Sequence, residues 1–226
     1  MCKPVSFLKY SLLVLLMSLG TSSFAQKNKV RIDTEFGKIV IMLYDGTPKH
    51  RDNFLALTKE RFYDSLLWHR VIPQFVIQGG DPDSKRAATG AALGEGEKGS
   101  RIPAEIKPQY YHKRGALGMA RDNNPDKASS GCQFYIVVGK PFDKEALEKV
   151  ALRNKHNWTA VQTNMYKTKG GTPHLDGNYT VFGEVLEGMD VVDKIANLPR
   201  NAADRPNQDV HMLKVRKLRK KFLGIF

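Results

Sequence analysis

The sequence predicts a mainly β protein, an antiparallel barrel with helical caps, on three observations. Short runs rich in Val, Ile, Phe and Tyr recur between turns that carry Gly or Pro. The helical stretches number two or three and are short, and strands and helices do not alternate regularly. The last point argues against a dinucleotide-binding fold. With 226 residues, 41% of them hydrophobic and 26% charged, the chain can build one ordinary core.

The first 25 residues stand outside that core. MCKPVSFLKY carries Lys3 and Lys9; an apolar run follows over 11–19, and then TSSFAQ offers the small residues Ser23 and Ala25. This order reads as a cleavable secretory signal, with a mature chain starting near Gln26 and a product exported to a periplasm or secreted. An uncleaved membrane anchor is the competing reading, disfavoured because the run is short for a bilayer. Residues 26–226 are then expected to form a single domain that ends in a basic tail at 217–226.

Along that domain, KVRIDTEFGKIVIMLYDGTP (29–48) is two alternating runs broken at Glu35-Phe36-Gly37, a hairpin signal. In the helical stretch 49–63, Thr47 can cap, Pro48 suits the first turn, and His50, Phe54, Leu57 and Arg61 share a stripe. Residues 71–77 read as one apolar strand, and 83–106 as a Gly-rich surface loop with functional potential. Strands follow at 115–121 and 132–139, and a helix at 143–157 shows Leu147, Val150 and Ala151 on one side. A strand at 178–188 leads to a short helix at 189–197, stopped by Pro199, and a last strand spans 210–218.

Charge and composition narrow the chemistry. The net charge of +13 becomes +11 once Lys3 and Lys9 are removed, and much of the excess sits in KVRKLRKK (214–221). No helix-turn-helix, zinc-finger or RNA-binding motif accompanies it, so a solvated basic surface is preferred to a nucleic-acid site. The tail mixes cations with apolar residues, and contact with an anionic membrane is the less favoured reading. Cys132 has no partner after signal removal and reads as a small core residue rather than a nucleophile. The sequence offers no metal-binding His-Glu-x-x-His, no Gly-x-Ser-x-Gly elbow and no phosphate loop, and the six histidines lack metal spacing. Neither a metal nor a cofactor is expected.

Aromatic, amide and guanidinium groups remain. Side chains alternate along a strand, which puts Val76 with Gln78 on one face and Phe75 with Ile77 on the other, and likewise puts Gln133 with Tyr135 on a face opposite Phe134. Were those faces to adjoin, they would make a shallow pocket with an apolar floor and an amide edge, and Arg70 would reach over it. On spacing alone the plainer reading weighs more: Arg70 capping a surface and Gln78 ending a solvated strand.

Four blocks change that balance. WHRVIPQFVIQGGD (68–81), LGMAR (117–121), GCQFYI (131–136) and LDGNYTVFGEVLEGMDVVDKI (175–195) resemble, in order, the signature blocks of the cyclophilins, the cyclosporin-binding family of peptidyl-prolyl isomerases. The resemblance spans about residues 28–218 and is strongest with exported bacterial members. It implies a closed eight-stranded antiparallel barrel capped by two short helices, and against common relatives, which have a short turn there, residues 140–171 are an additional helical insert. It also implies prolyl isomerisation of proline-containing polypeptide clients by a monomer, with no cofactor. Arg70 stands where the family keeps its catalytic arginine. By the same resemblance Phe75, Val76, Tyr135 and Leu175, with Ala120 at the edge, take the proline ring. Gln78 holds the substrate carbonyl and orients Arg70, and Gln133 supports it. His174 and Tyr179 occupy rim positions where cyclosporin-sensitive members carry Trp and His, so weak cyclosporin binding is expected. Tyr135 replaces a Phe, and its hydroxyl must find a partner or narrow the pocket. A binding or chaperone module that has given up turnover is the alternative. The insert reads as an ornament packed on the barrel in preference to a groove-widening or partner-binding element.

Overall fold

The computed structural model describes residues 28–218; the signal and most of the basic tail lie outside the described residues. The chain opens with the expected hairpin, β1 (Lys29–Thr34) and β2 (Gly37–Leu43). Thr34 pairs with Gly37 across the turn, the Thr34 hydroxyl donates to the Gly37 carbonyl at 2.8 Å, and Gly37 takes a φ of +129° that favours glycine. Along β1, Val30, Ile32 and Thr34 point inward, the period of two that alternation demands.

Helix α1 (Pro48–Lys59) buries His50, Phe54 and Leu57. It ends two residues before Arg61, which is exposed with a φ of +58°, so Arg61 does not belong to the stripe. Thr47 does not cap it either, its hydroxyl turning back to the Tyr44 carbonyl at 3.4 Å. The orphan amides of Lys49 and His50 donate instead to the Glu105 carboxylate, at 3.2 and 3.0 Å. A residue 55 positions away does what the adjacent threonine was expected to do, and its charge suits the positive end of the helix.

The expected strand at 71–77 is in fact a tight hairpin. After β3 (Leu66–Leu67), β4 (Arg70–Val71) turns at Ile72-Pro73-Gln74-Phe75 and returns as β5 (Val76–Gly79). Pro73 fixes the entry to the turn, Gln74 takes a φ of +59°, and the Phe75 amide closes on the Ile72 carbonyl at 3.1 Å. Arg70 is thereby paired directly with Gln78.

The remaining strands are β6 (Ala116–Met119), β7 (Phe134–Val137), β8 (Val181–Glu187), β9 (His211–Met212) and β10 (Lys214–Lys217). Eight of them form one antiparallel sheet in the order β10-β1-β2-β8-β6-β7-β5-β4, curled around a core that includes Ile32, Phe54, Trp68, Ile77, Phe134 and Phe182. The expectation of a closed barrel is corrected here. Among the described residues no ladder joins the end strands β4 and β10; the separate pair β3–β9 lies apart from the sheet. β4 is cut to two residues by the Pro73 turn, and the Val71 amide donates to the loop carbonyl of Asp204 instead of to a strand. The expected last strand is broken at Leu213, so it cannot supply a continuous partner.

Among the described residues, four helices replace the expected two caps and one insert helix. α1 and α4 (Met189–Ala196) cover the core, and α4 buries Val191, Val192, Ile195 and Ala196. The insert holds α2 (Lys144–Asn154) and α3 (Ala160–Thr168). On α2 only Leu147 is fully buried; Val150 and Ala151 are half-buried. The start of α3 is a capping box in which Thr159 and Gln162 satisfy each other's backbone amides.

Candidate active site

On the sheet face opposite the main core, Val76, Ala116, Tyr135, Val137 and Val181 form a second apolar cluster. The alternation argument holds at this point: Ile77 and Ile136 enter the main core while Val76 and Tyr135 face outward. Strand pairing sets Gln78 directly beside Tyr135 and Val76 beside Val137, so the two faces adjoin as the sequence suggested they could.

A pocket of about 150 Å³ opens on this surface. Arg70, Phe75, Val76, Gln78, Ala120, Tyr135, Leu175 and Tyr179 all line it, and so does Arg121 of the LGMAR block, for which the sequence predicted no role. Arg121 donates to the Asn178 carbonyl at 2.8 Å and lies 4.8 Å from the centre of the Tyr179 ring. Phe75 lines the pocket from the turn before β5, where strand alternation does not govern it. Gly118, the partner of Tyr135 in the ladder, leaves room for the tyrosine: a Cβ there would sit 2.5 Å from the Tyr135 hydroxyl.

Two expected residues stand beside the pocket rather than in its wall. His174 stacks on Phe75, with ring centroids 5.4 Å apart, and burial lowers its pKa, with help from His112 and Arg153. Gln133 is buried; it accepts from the Gln78 amide at 3.0 Å and donates to the Gly94 and Gly96 carbonyls, both at 2.8 Å. It therefore ties the Gly-rich loop to the strand and borders a second, more polar hollow of about 520 Å³ with Gln78, Glu95, Glu97 and Arg101.

The expected orienting contact from Gln78 to Arg70 is taken by other groups. The Gln78 amide is directed at Gln133, whereas Arg70 Nε lies 3.7 Å from the Asp204 carboxylate and its guanidinium carbon 5.9 Å from the Phe75 ring centre. Asp204 is a residue sequence reasoning missed, because nothing in a loop 134 positions downstream signals that it will return to β4.

Beneath the floor, the Tyr135 hydroxyl has its partner, His112 Nε2 at 2.8 Å, and His112 Nδ1 lies 2.6 Å from Asp176 Oδ1. Burial holds the Tyr135 pKa well above the usual phenol range, so its hydroxyl keeps its proton. Burial also pushes the Asp176 carboxyl upward, but the hydrogen bonds and charge of His112, together with the Tyr166 hydroxyl, outweigh it and the pKa falls below the ordinary carboxylate value. Cys132 is buried beside Glu97, and burial lifts its thiol to about 11, consistent with a core residue and not a nucleophile. Among the described residues no cluster of three or more His, Cys, Asp or Glu side chains could hold a metal ion.

His69, next to Arg70, is a buried histidine with no partner for either ring nitrogen among the described residues. Burial lowers its pKa to about 4, Arg70 and Arg205 push the same way, and Asp81 opposes them. The unfolded chain therefore takes up this proton from about pH 6.5 downward while the folded chain resists until about pH 4. Stability from His69 is complete above pH 6.5 and falls as the pH drops toward 4, by roughly 3 kcal/mol over the window. Urea midpoints measured from pH 7 to 4 should decline, and less steeply in His69→Gln; equal slopes would dismiss His69 as the cause. His50 and His174, also lowered, keep the variant's slope from vanishing.

Comparison with known proteins agrees with this architecture. The family profile described as cyclophilin type peptidyl-prolyl cis-trans isomerase/CLD matches residues 29–217. A protein of Staphylococcus epidermidis assigned as a peptidyl-prolyl cis-trans isomerase is 37% identical over 183 residues, covering 80% of this chain and 87% of its own length. A Streptococcus pyogenes protein assigned as a bifunctional phosphatase/peptidyl-prolyl cis-trans isomerase is 38% identical over 188 residues; the match spans 80% of this chain but only 37% of that longer protein. Among solved structures, a cyclophilin type isomerase of Cryptosporidium parvum, crystallised in the presence of the dipeptide Ala-Pro, superposes with a TM-score of 0.63 at 25% identity over 85% of this chain and 99% of its own. This chain belongs to the cyclophilin-type peptidyl-prolyl cis-trans isomerase family.

Proposed function

We propose that the mature chain accelerates rotation about X-Pro bonds in exported polypeptide clients, with Arg70 stabilising the twisted amide. The bond before proline has partial double-bond character and a barrier near ~20 kcal/mol, so uncatalysed exchange takes roughly tens to hundreds of seconds. In the twisted state the proline nitrogen loses conjugation and regains a lone pair. A guanidinium that donates to that nitrogen favours the twisted state over both planar ones, which is the condition for lowering a barrier. The apolar pocket would seat the proline ring on Val76 and Tyr135, between Phe75 and Leu175, with Ala120 at its edge. Gln78 would hold the neighbouring carbonyl, supported by Gln133. His174 and Tyr179 would form the rim. The chemistry calls for no cofactor, and a monomer presents the whole site.

One observation carries this reading: the Pro73 turn sets Arg70 beside Gln78 over an apolar pocket. The rival, a chaperone surface without turnover, draws on Leu152 and Val161 of the insert, which are 81% and 73% exposed. Exchange NMR on an Ala-Pro peptide separates the two. Isomerisation predicts cis–trans exchange accelerated at catalytic amounts of residues 26–226, whereas holding alone predicts peptide shift changes with no faster exchange.

A further inference from the structure

The insert at 140–171 was expected to be an ornament, and its hydrogen bonds do not fit that role. The chain leaves β7, builds α2 and α3, and returns through Gly171, which bridges to both Lys140 and Lys113. From inside this excursion Trp158 Nε1 donates to Asp176 Oδ2 at 2.7 Å, and the Tyr166 hydroxyl donates to the same oxygen at 2.5 Å. Asn154 adds a bond to the His174 carbonyl at 2.9 Å. The other oxygen of Asp176 receives the His112 amide at 2.8 Å and faces the His112 ring at 2.6 Å. The carboxylate thus has four partners, as many as its lone-pair sites. Asp176 and His112 are 4% and 1% exposed, so no water substitutes freely for a lost donor.

The relay ends at the pocket. His112 Nε2 meets the Tyr135 hydroxyl at 2.8 Å, and the Tyr135 ring is the pocket floor. Asp176 also follows directly on Leu175, a wall of the same pocket. We propose that the insert is a clamp for the proline pocket: Trp158 and Tyr166 are positioning residues that, through Asp176 and His112, fix the Tyr135 ring. Both rings touch the substrate only through others. The proposal rests on the proline-pocket reading given above, and it predicts a change in substrate affinity more than in turnover, because a seat for the ring is used equally in the planar and twisted states.

Trp158→Phe and Tyr166→Phe each remove one donor and keep a ring in place. Exchange NMR at increasing Ala-Pro peptide should show KM raised about two- to tenfold, the range of one hydrogen bond's net worth, with kcat changed less. The decisive comparison repeats each substitution in a Tyr135→Phe background, where the relay has no hydroxyl to hold. There the insert substitution should have little further effect on KM, and Tyr135→Phe with Trp158→Phe should be clearly non-additive. Additive effects, or an unchanged KM with an intact fold by circular dichroism, would overturn the clamp. Half-buried Trp158 keeps the test open should Tyr166→Phe fail to fold. In the same samples the His112 Nδ1 proton and the Tyr135 ring resonances should shift in Trp158→Phe. If wild type accelerates no exchange, the isomerase reading fails; the clamp then stands or falls on those resonances alone.

Discussion

Arg70→Ala is expected to lower kcat/KM on an Ala-Pro peptide by on the order of 10²–10³-fold, the loss typical of one preorganised donor aimed at developing charge. On the proposed mechanism the loss should fall on kcat, because there the guanidinium is called on when the amide twists and the planar substrate makes less of it. Nothing in the fold needs this side chain for packing: it is 40% exposed, and its pairing with Asp204 at 3.7 Å is a surface contact worth little to stability. The melting curve of Arg70→Ala should therefore overlay that of wild type, which separates lost chemistry from lost structure. Arg70→Lys keeps the charge and loses the planar fork, and should recover only a small part of the rate. Exchange NMR on the three proteins is the measurement. A wild-type-like rate in Arg70→Ala would reject the assigned role.

Phe134→Ala should have the largest effect on stability, about 3–5 kcal/mol by urea unfolding. Phe134 is fully buried and lies at the centre of an aromatic cluster, with ring centroids 5.2 Å from Phe54, 5.4 Å from Tyr63 and 5.5 Å from Trp68. All three contacts are edge-to-face, an arrangement that adds to area burial and cannot re-form around a methyl group. The cluster joins α1 to β7, so a cavity there loosens the helix on the sheet whose other face carries the pocket. Phe134→Leu keeps much of the volume and should cost markedly less. A loss under about 1 kcal/mol for Phe134→Ala would mean that the site collapses around the gap and that the cluster is not rigid.

Short-range features of the sequence were sound guides. The Glu35-Phe36-Gly37 break marks a real hairpin, because a turn is decided by the few residues that make it. Alternation correctly sorted Val76 from Ile77 and Tyr135 from Phe134, since a strand has only two faces to choose from. The four family blocks located Arg70, Gln78 and most of the pocket wall. The second insert helix has a local signal too, the capping pair Thr159-x-x-Gln162, which is absent from the expected elements. The expected strand at 71–77 failed because its apolar run outweighed the Pro73 signal for a turn; the residues were right and the local geometry was not.

Other features had no local signal to read. Glu105 caps α1 from 55 positions away, Asp204 approaches Arg70 from a distant loop, and Asp176 gathers donors from the insert and from the segment before β6. The closed barrel became an open, curled sheet because β4 and β10 are each too short, or too interrupted, to pair with the other. Periodicity and turn chemistry act between neighbours in the chain, so the faces of most strands, the family and the kinds of side chain at the pocket could be read from the residues alone, whereas the 71–77 hairpin and the break at Leu213 could not. Which groups hold those pocket side chains in place follows from packing, because a buried carboxylate or hydroxyl takes whatever partner the fold brings within about 3 Å, however far apart the two lie in sequence.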